Sequence, residues 1–296
     1  MPNYVRFDWM IKRLLRNKAD TVVPVLEGFL SVLLERQIHI TKILESEGNQ
    51  EEQSQKFNRV DVLVEDETKA KYIIEVQNDH EIDFFQRMLF GTSKVISDYA
   101  KLGEEYSHIT KVYSVNIVYF GLGQGSGYIY KGDTVFYNLF DKNDILQLTP
   151  RQQELYQAKT VSNIFPEYYL LRVNNFDEYA VSPLQQWVSV LKTGEIPVEF
   201  TAQGLPEARE LLSYDKLSDD EKKAYRRYLE NIGYSKSMLA SSRDAGFVKG
   251  REEGRMAAKI DVARNAKAMG MKVEDIAKLT GLSEEEVESI CVKICD

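Results

Sequence analysis

Two acidic residues stand where acidic residues are costly. Asp61 lies in RVDVLVE (59–65), beside Val60, Val62 and Val64, and Glu75 lies in KYIIEVQ (71–77), among Ile73, Ile74 and Val76. Two such β-branched runs joined by the short charged turn DETKA read as a hairpin. Successive strand residues face opposite sides, so Glu75 and Gln77 project together while Val76 packs behind them. A carboxylate buried in such a run is unfavourable unless its charge is offset. Two of them converging across a hairpin repel, and one is driven to take up a proton. A divalent cation removes both difficulties. Mg²⁺ takes one or two carboxylates and keeps positions for waters and a substrate phosphate oxygen. It polarises the phosphoryl group and acidifies a water for in-line attack. Asp61 and Glu75 would hold the ion, and Gln77 would orient the water or a phosphate oxygen. Being neutral, Gln77 cannot act as a cationic clamp. The competing reading is a wet hairpin edge on which both carboxylates face solvent. The metal reading fails if the two groups point to opposite faces, or if a lysine or arginine neutralises them instead.

The elements that must position this pair can be read from the flanking sequence. Residues 4–18 carry Val5, Trp9, Leu14 and Leu15 at helical spacing, with Arg6, Arg13 and Arg16 elsewhere. Pro24 is expected to open a second helix, PVLEGFLSVLLERQ, in which Glu27 is an isolated acid. IHITKIL (38–44) alternates as a strand, and the polar stretch 45–55 reads as an exposed loop. Residues 81–102 resume helical spacing. KVYSVNIVYF (111–120) has the nearly all-apolar composition of a strand buried on both faces. The loop GLGQGSG (121–127) then leads into YIYKG and TVFYNLF, expected as a second hairpin. Its glycines fit neither the dinucleotide nor the P-loop spacing. FPEYYLLRV (165–173) is expected as a last strand, with Tyr168 and Tyr169 as core or strand-face aromatics rather than base-stacking ones.

From about residue 150 the pattern turns helical. PLQQWVSVLKTGE, LPEARELLSY and SDDEKKAYRRYLENI read as helices capped at Ser182, Gly204 and Ser218. Gly246, Gly250 and Gly254 recur every four residues in what reads as an exposed, self-associating helix. The tail reads as helix, turn, a second helix ending at Gly281, and a third capped by the Ser283 capping box. That module has the outline of a helix-turn-helix. Its last helix is rich in glutamate, which phosphate repels, so a protein-interaction or dimerisation role is favoured over DNA recognition.

The 296 residues are 43% hydrophobic and 28% charged, a globular composition large enough for one sizeable core with appendages. A net charge of −8 argues against a protein that coats DNA without specificity, and leaves a nuclease with local basic residues open. The two cysteines, Cys291 and Cys295, have no partner pair for a zinc site and read as ordinary thiols. His39, His80 and His108 are scattered, with His80 expected at the surface. No signal peptide is read, and no window approaches the roughly 18 apolar residues of a membrane span. A cytoplasmic protein is expected.

The sequence resembles the PD-(D/E)XK nuclease superfamily, and within it the recombination-promoting nuclease or transposase family. The resemblance rests on NRVDVLV followed by IIEVQ, the helix around Glu27, FFQRMLFGTSKVISDY, KVYSVNIVYF and FPEYY, in that order. It covers residues 5–175 well and the helical remainder in general style. It implies an α/β fold with a restriction-endonuclease-like αβββαβ core and a helical C-terminal region. It also implies Asp61 and Glu75 as metal ligands and Glu27 as an additional one. Gln77 stands in the position of the superfamily's lysine, a departure usual in this subgroup. The expected domains are 1–180, nuclease-like, 181–245, a helical extension, and 246–296, a helical tail.

The function this implies is a metal-dependent DNA endonuclease of the transposase or recombination-promoting type. Mg²⁺ is the expected cofactor, with Mn²⁺ as the alternative, and DNA the partner, with self-association through the C-terminal helices. Lys12, four residues after Asp8, is either half of a helical ion pair or a DNA contact. Arg87 on the next helix either meets a phosphate or anchors Glu75. The rival functions are a catalytically impaired DNA-binding protein on the same scaffold and a protein-interaction module.

Overall fold

The computed structural model describes residues 3–14, 19–46, 61–99 and 109–292. Residues 47–55 of the expected loop, His108 and Cys295 lie outside them. Helix α1 (Phe7–Trp9) runs directly into a π-helical turn at Met10–Leu14, and α2 (Ala19–Leu34) follows. Strands β1 (Ile40–Ser46), β2 (Val62–Asp66) and β3 (Lys71–Gln77) form an antiparallel meander. Helix α3 (Phe84–Tyr99) then crosses to β4 (Val112–Val118), which lies parallel to β3. This is the expected αβββαβ core. Strand β5 (Ile129–Gly132), helix α4 (Pro150–Tyr156) and strand β6 (Glu167–Arg172) complete a six-stranded sheet in the order β1-β2-β3-β4-β6-β5.

Two expectations are corrected here. The second hairpin does not form: β5 pairs antiparallel with β6, and residues 121–127 bridge strands that are not neighbours. Both edges of β4 are taken by β3 and β6, so the outer edge of β6 is what remains for β5. TVFYNLF (134–140) makes only the single bridge Tyr137↔Ile145, and Leu139 and Phe140 lie exposed. Pro24 does not open α2. It sits inside a helix that starts at Ala19, where its missing N–H leaves the carbonyl of Asp20 without a helical partner.

The helices that follow the sheet close over α2. Helix α5 (Pro183–Thr193) starts at the Ser182 capping box, and α6 (Leu205–Leu212) starts after Gly204. Phe7, Phe29 and Trp187 meet edge-on or tilted, with ring centroids 5.2 to 5.8 Å apart. The Trp187 indole N–H donates to the carbonyl of Gln203 at 2.9 Å, so a large buried aromatic keeps no unmet donor. Gly28 permits this closure. A Cβ there would lie 2.4 Å from the backbone of Gly204, which itself adopts φ +84°.

Helix α7 (Asp219–Ala268) is a single 50-residue helix. It absorbs the helix expected from Ser218 and the Gly246–Gly254 stretch without a break, and all three glycines face open space. Helices α8 (Val273–Thr280) and α9 (Glu284–Val292) follow. The chain forms two compact units, residues 1–228 and 229–296. In the second, Ala263, Ala266, Ile276, Leu282 and Val287 make a small core. Gly281 takes φ +67° as the C-cap of α8, and Ser283 forms its expected capping box with Glu286. Among the described residues no helix is long and apolar enough to cross a membrane.

Candidate active site

Asp61 sits in a bend just before β2, one step beyond the last paired residues, Val62 and Ile74. Side chains take over from the strand ladder at this point. The Asp61 N–H donates to Glu75 Oε2 at 3.1 Å, and the Val76 N–H donates to Asp61 Oδ2 at 2.7 Å. Each carboxylate therefore satisfies a backbone donor of the other strand's end, which fixes both rotamers and brings the two anions together. Both residues are only 5% exposed. The wet-edge reading is excluded, because neither carboxylate faces bulk water.

Two cations meet this pair. Lys12 Nζ lies 3.0 Å from Asp61 Oδ1, and the Arg87 guanidinium donates to Glu75 Oε1. Arg87 also pairs with Glu81 at 2.8 Å, so its guanidinium serves both Glu75 and Glu81. Burial, and then the charge of Asp61, push the Glu75 carboxyl up to about 7, although Arg87, the Asp61 N–H and Lys12 act in the opposite direction. Each carboxylate thus meets a cation, the arrangement anticipated as counting against the metal reading, while burial still holds the Glu75 carboxyl above its ordinary range. Glu75 still favours gaining positive charge.

Lys12 owes its place to the N-terminal segment, and that segment is anchored by a network the sequence did not suggest. Asp8 is fully buried and accepts from Arg6 Nε at 3.1 Å, from Asn78 Nδ2 at 2.7 Å and from the Tyr228 hydroxyl. Arg6 also donates to Asn78 Oδ1 at 2.9 Å and lies over the Tyr119 ring. Asn78 directly follows Gln77, so the network pins α1 to the carboxyl end of β3. Asp8 was expected only as a helical partner of Lys12. The missed signal was an acid in an otherwise apolar and basic helix.

The other expected site residues are distributed unevenly. Gln77 is half-buried at the end of β3, on the strand face shared with Glu75. Glu27 is engaged at the start of β1, where its Oε1 accepts from the Ile40 N–H at 2.7 Å and lies 4.0 Å from His39 Nδ1. Among the described residues no three His, Cys, Asp or Glu side chains gather as a metal-holding cluster. The structure thus brings Asp61, Glu75, Lys12 and Arg87 together and ties Glu27 to β1. His80 is exposed and rests against Phe120.

The model of the PD-(D/E)XK nuclease family transposases matches residues 5–240, which includes the whole sheet and every residue of this site. The chain belongs to that family. No curated protein and no solved structure matches it.

PD-(D/E)XK nucleases generally use divalent metal ions, and the donor set at Asp61 and Glu75 fits one. Both ligating groups would be hard anionic oxygens, as Mg²⁺ requires, and two carboxylates suffice for an ion that keeps several waters. The Glu75 carboxyl, raised by burial and by the charge of Asp61, points the same way. The pair lies at the end of the β2–β3 hairpin. Here the nearby ammonium comes from Lys12 in the N-terminal segment, while Gln77 occupies the last position of the strand motif.

Proposed function

We propose that this family member hydrolyses DNA phosphodiester bonds as an Mg²⁺-dependent endonuclease, with Asp61 and Glu75 holding the ion. The observation that carries the reading is the interlocked, buried Asp61–Glu75 pair, in which burial and mutual repulsion leave Glu75 short of positive charge. When bound, Mg²⁺ supplies a Lewis acid for the phosphoryl oxygen and acidifies the attacking water. The chain's own residues do the rest. Lys12 lies close enough to Asp61 to place its ammonium beside the charge that develops on the phosphate, the role that neutral Gln77 cannot fill. Gln77 orients the water or a phosphate oxygen through its amide. Arg87 holds Glu75 in its rotamer while Glu81 holds Arg87. Mn²⁺ would serve in place of Mg²⁺ on the same oxygens.

The test is cleavage of supercoiled and linear DNA with Mg²⁺, Mn²⁺ or chelator. Wild type cuts with metal, whereas Asp61→Ala and Glu75→Ala do not. Equal cutting by wild type and variants would assign the activity to a contaminant and end the reading. A second reading has an observation of its own, because each carboxylate already has a cationic partner. Salt-sensitive DNA binding without cleavage in any metal would mark a binding protein on a nuclease scaffold.

A further inference from the structure

The sheet face that carries Glu75 continues sideways into a second feature. Register places Glu75 beside Asn116, Asn116 beside Leu170, and Leu170 beside Tyr130. One row further along, Gln77, Val118 and Arg172 align. All these side chains project towards α3, since neighbouring strands keep their side-chain phase. Packing agrees, because Leu170 and Val118 cluster with Phe84, and Arg87 reaches Glu75.

Between α3 and this row lies a cavity of about 360 Å³, walled by Phe85, Leu89, Tyr130, Tyr168 and Leu170. Outside that lining, one row further along β6, Arg172 is 7% exposed, and its guanidinium lies 5.8 Å from the centre of the ring of Tyr130, which does line the cavity. Arg172 donates to the carbonyl of Gly125 at 2.9 Å. Among the described residues no carboxylate pairs with it, and its buried Nε has no acceptor. A buried guanidinium without a counter-anion, and with an unmet donor, is unfavourable unless an anion completes it. Arginine donors in a fixed plane match phosphate oxygens. Aromatic walls accept any nucleobase by stacking. The two features share Tyr130.

We propose that this is a nucleotide subsite that takes one unstacked nucleotide of the substrate strand, its base in the aromatic cavity and its phosphate at Arg172. The proposal rests on the DNA reading above and specifies the substrate class, which is DNA with an unpaired nucleotide near the cleaved bond rather than uninterrupted duplex. Two strand spacings, about 10 Å, separate Arg172 from Gln77 in their shared row. That is on the order of three base steps of a stacked strand at about 3.4 Å each. An unpaired nucleotide escapes the unstacking cost that a duplex base must meet before entering such a cavity.

The experiment uses the full-length protein in chelator, so that binding is read without cleavage. Its probes are a blunt duplex and the same duplex with a short 3′ or 5′ overhang carrying 2-aminopurine. The overhang substrate is expected to bind on the order of tenfold more tightly, with its fluorescence quenched. Tyr130→Leu should abolish both the preference and the quenching. Arg172→Gln should lower the slope of log affinity against log salt by about 0.7, the value for one phosphate on a single strand. A purely structural Arg172 would weaken the fold and leave that slope unchanged. Should Arg172→Gln fail to fold, Tyr130→Leu and Leu89→Ala at the rim decide alone. Equal affinity for both probes, or a preference that survives Tyr130→Leu, overturns the proposal. Overhang preference without metal-dependent cleavage of either DNA would instead uphold this subsite and sink the nuclease reading.

Discussion

The raised pKa of Glu75 makes the metal-free protein's stability depend on pH in a direction that can be worked out beforehand. In the fold its carboxyl titrates at about 7, against 4.5 for the free side chain. The folded state therefore binds this proton more tightly than the unfolded state. The resulting stabilisation is fully present below pH 4.5 and is lost as pH rises through 7. The gap corresponds to about 3 kcal/mol, of which about 2 to 3 kcal/mol falls between pH 5 and 8. Urea unfolding in chelator, followed by tryptophan fluorescence, measures it. Trp9 and Trp187 are the chain's two tryptophans, and both are buried in the first unit, so the signal reports that unit alone. Wild type should lose about 2 to 3 kcal/mol across that range relative to Glu75→Gln. The variant's absolute stability also changes, because an amide oxygen cannot serve both Arg87 and the Asp61 N–H as a carboxylate does. The diagnostic is the slope. Parallel pH curves for the two proteins would refute the claim that burial and Asp61 hold Glu75 short of positive charge. Mg²⁺ should stabilise wild type more at pH 8 than at pH 6, because it binds the deprotonated pair.

Three further outcomes are expected. Lys12→Ala should slow single-turnover cleavage on the order of a hundredfold while changing DNA affinity little, and a proportionate loss of both would reduce Lys12 to a phosphate contact. Gly28→Ala should destabilise the first unit by about 1 to 3 kcal/mol or more, because its methyl meets the Gly204 backbone at 2.4 Å; an unchanged urea midpoint would contradict that packing. Ile276→Ala should cost the second unit about 2 to 5 kcal/mol, visible as an earlier loss of helical circular dichroism with no shift in the tryptophan transition.

The legible parts of this molecule are those set by local pattern. β3 coincides with KYIIEVQ because a dense β-branched run between turn residues has few alternatives. The caps at Ser182 and Ser283 follow from side-chain chemistry within a few residues, and those at Gly204 and Gly281 from glycine's access to positive φ. What stayed hidden is non-local. Nothing near Lys12 announces a partner at Asp61, and nothing near Asp8 announces Tyr228. Asp61 reads as mid-strand, yet its backbone N–H goes to Glu75, a choice made by charge and not by propensity. β5 was paired with its neighbour in sequence, whereas the free edge lay on a strand about forty residues later. The length of α7 was missed for another reason. Each exposed glycine costs a helix about 1 kcal/mol, which a long helix with pairs such as Lys249–Glu253 tolerates.

The way the N-terminal segment is fastened has a bearing on biosynthesis. Val5 donates to the carbonyl of Leu212, Tyr4 bridges to Ser213, and Asp8 accepts from Tyr228. Lys12 leaves the ribosome well before these seats for its segment, which lie some two hundred residues further along the chain. A half-made chain already carries both carboxylates and cannot yet hold the ammonium beside them. In the nuclease proposed above, a chain assembled in this order completes its site only once Tyr228 has been made, and truncation before that residue leaves Lys12 without the seat that holds it near Asp61.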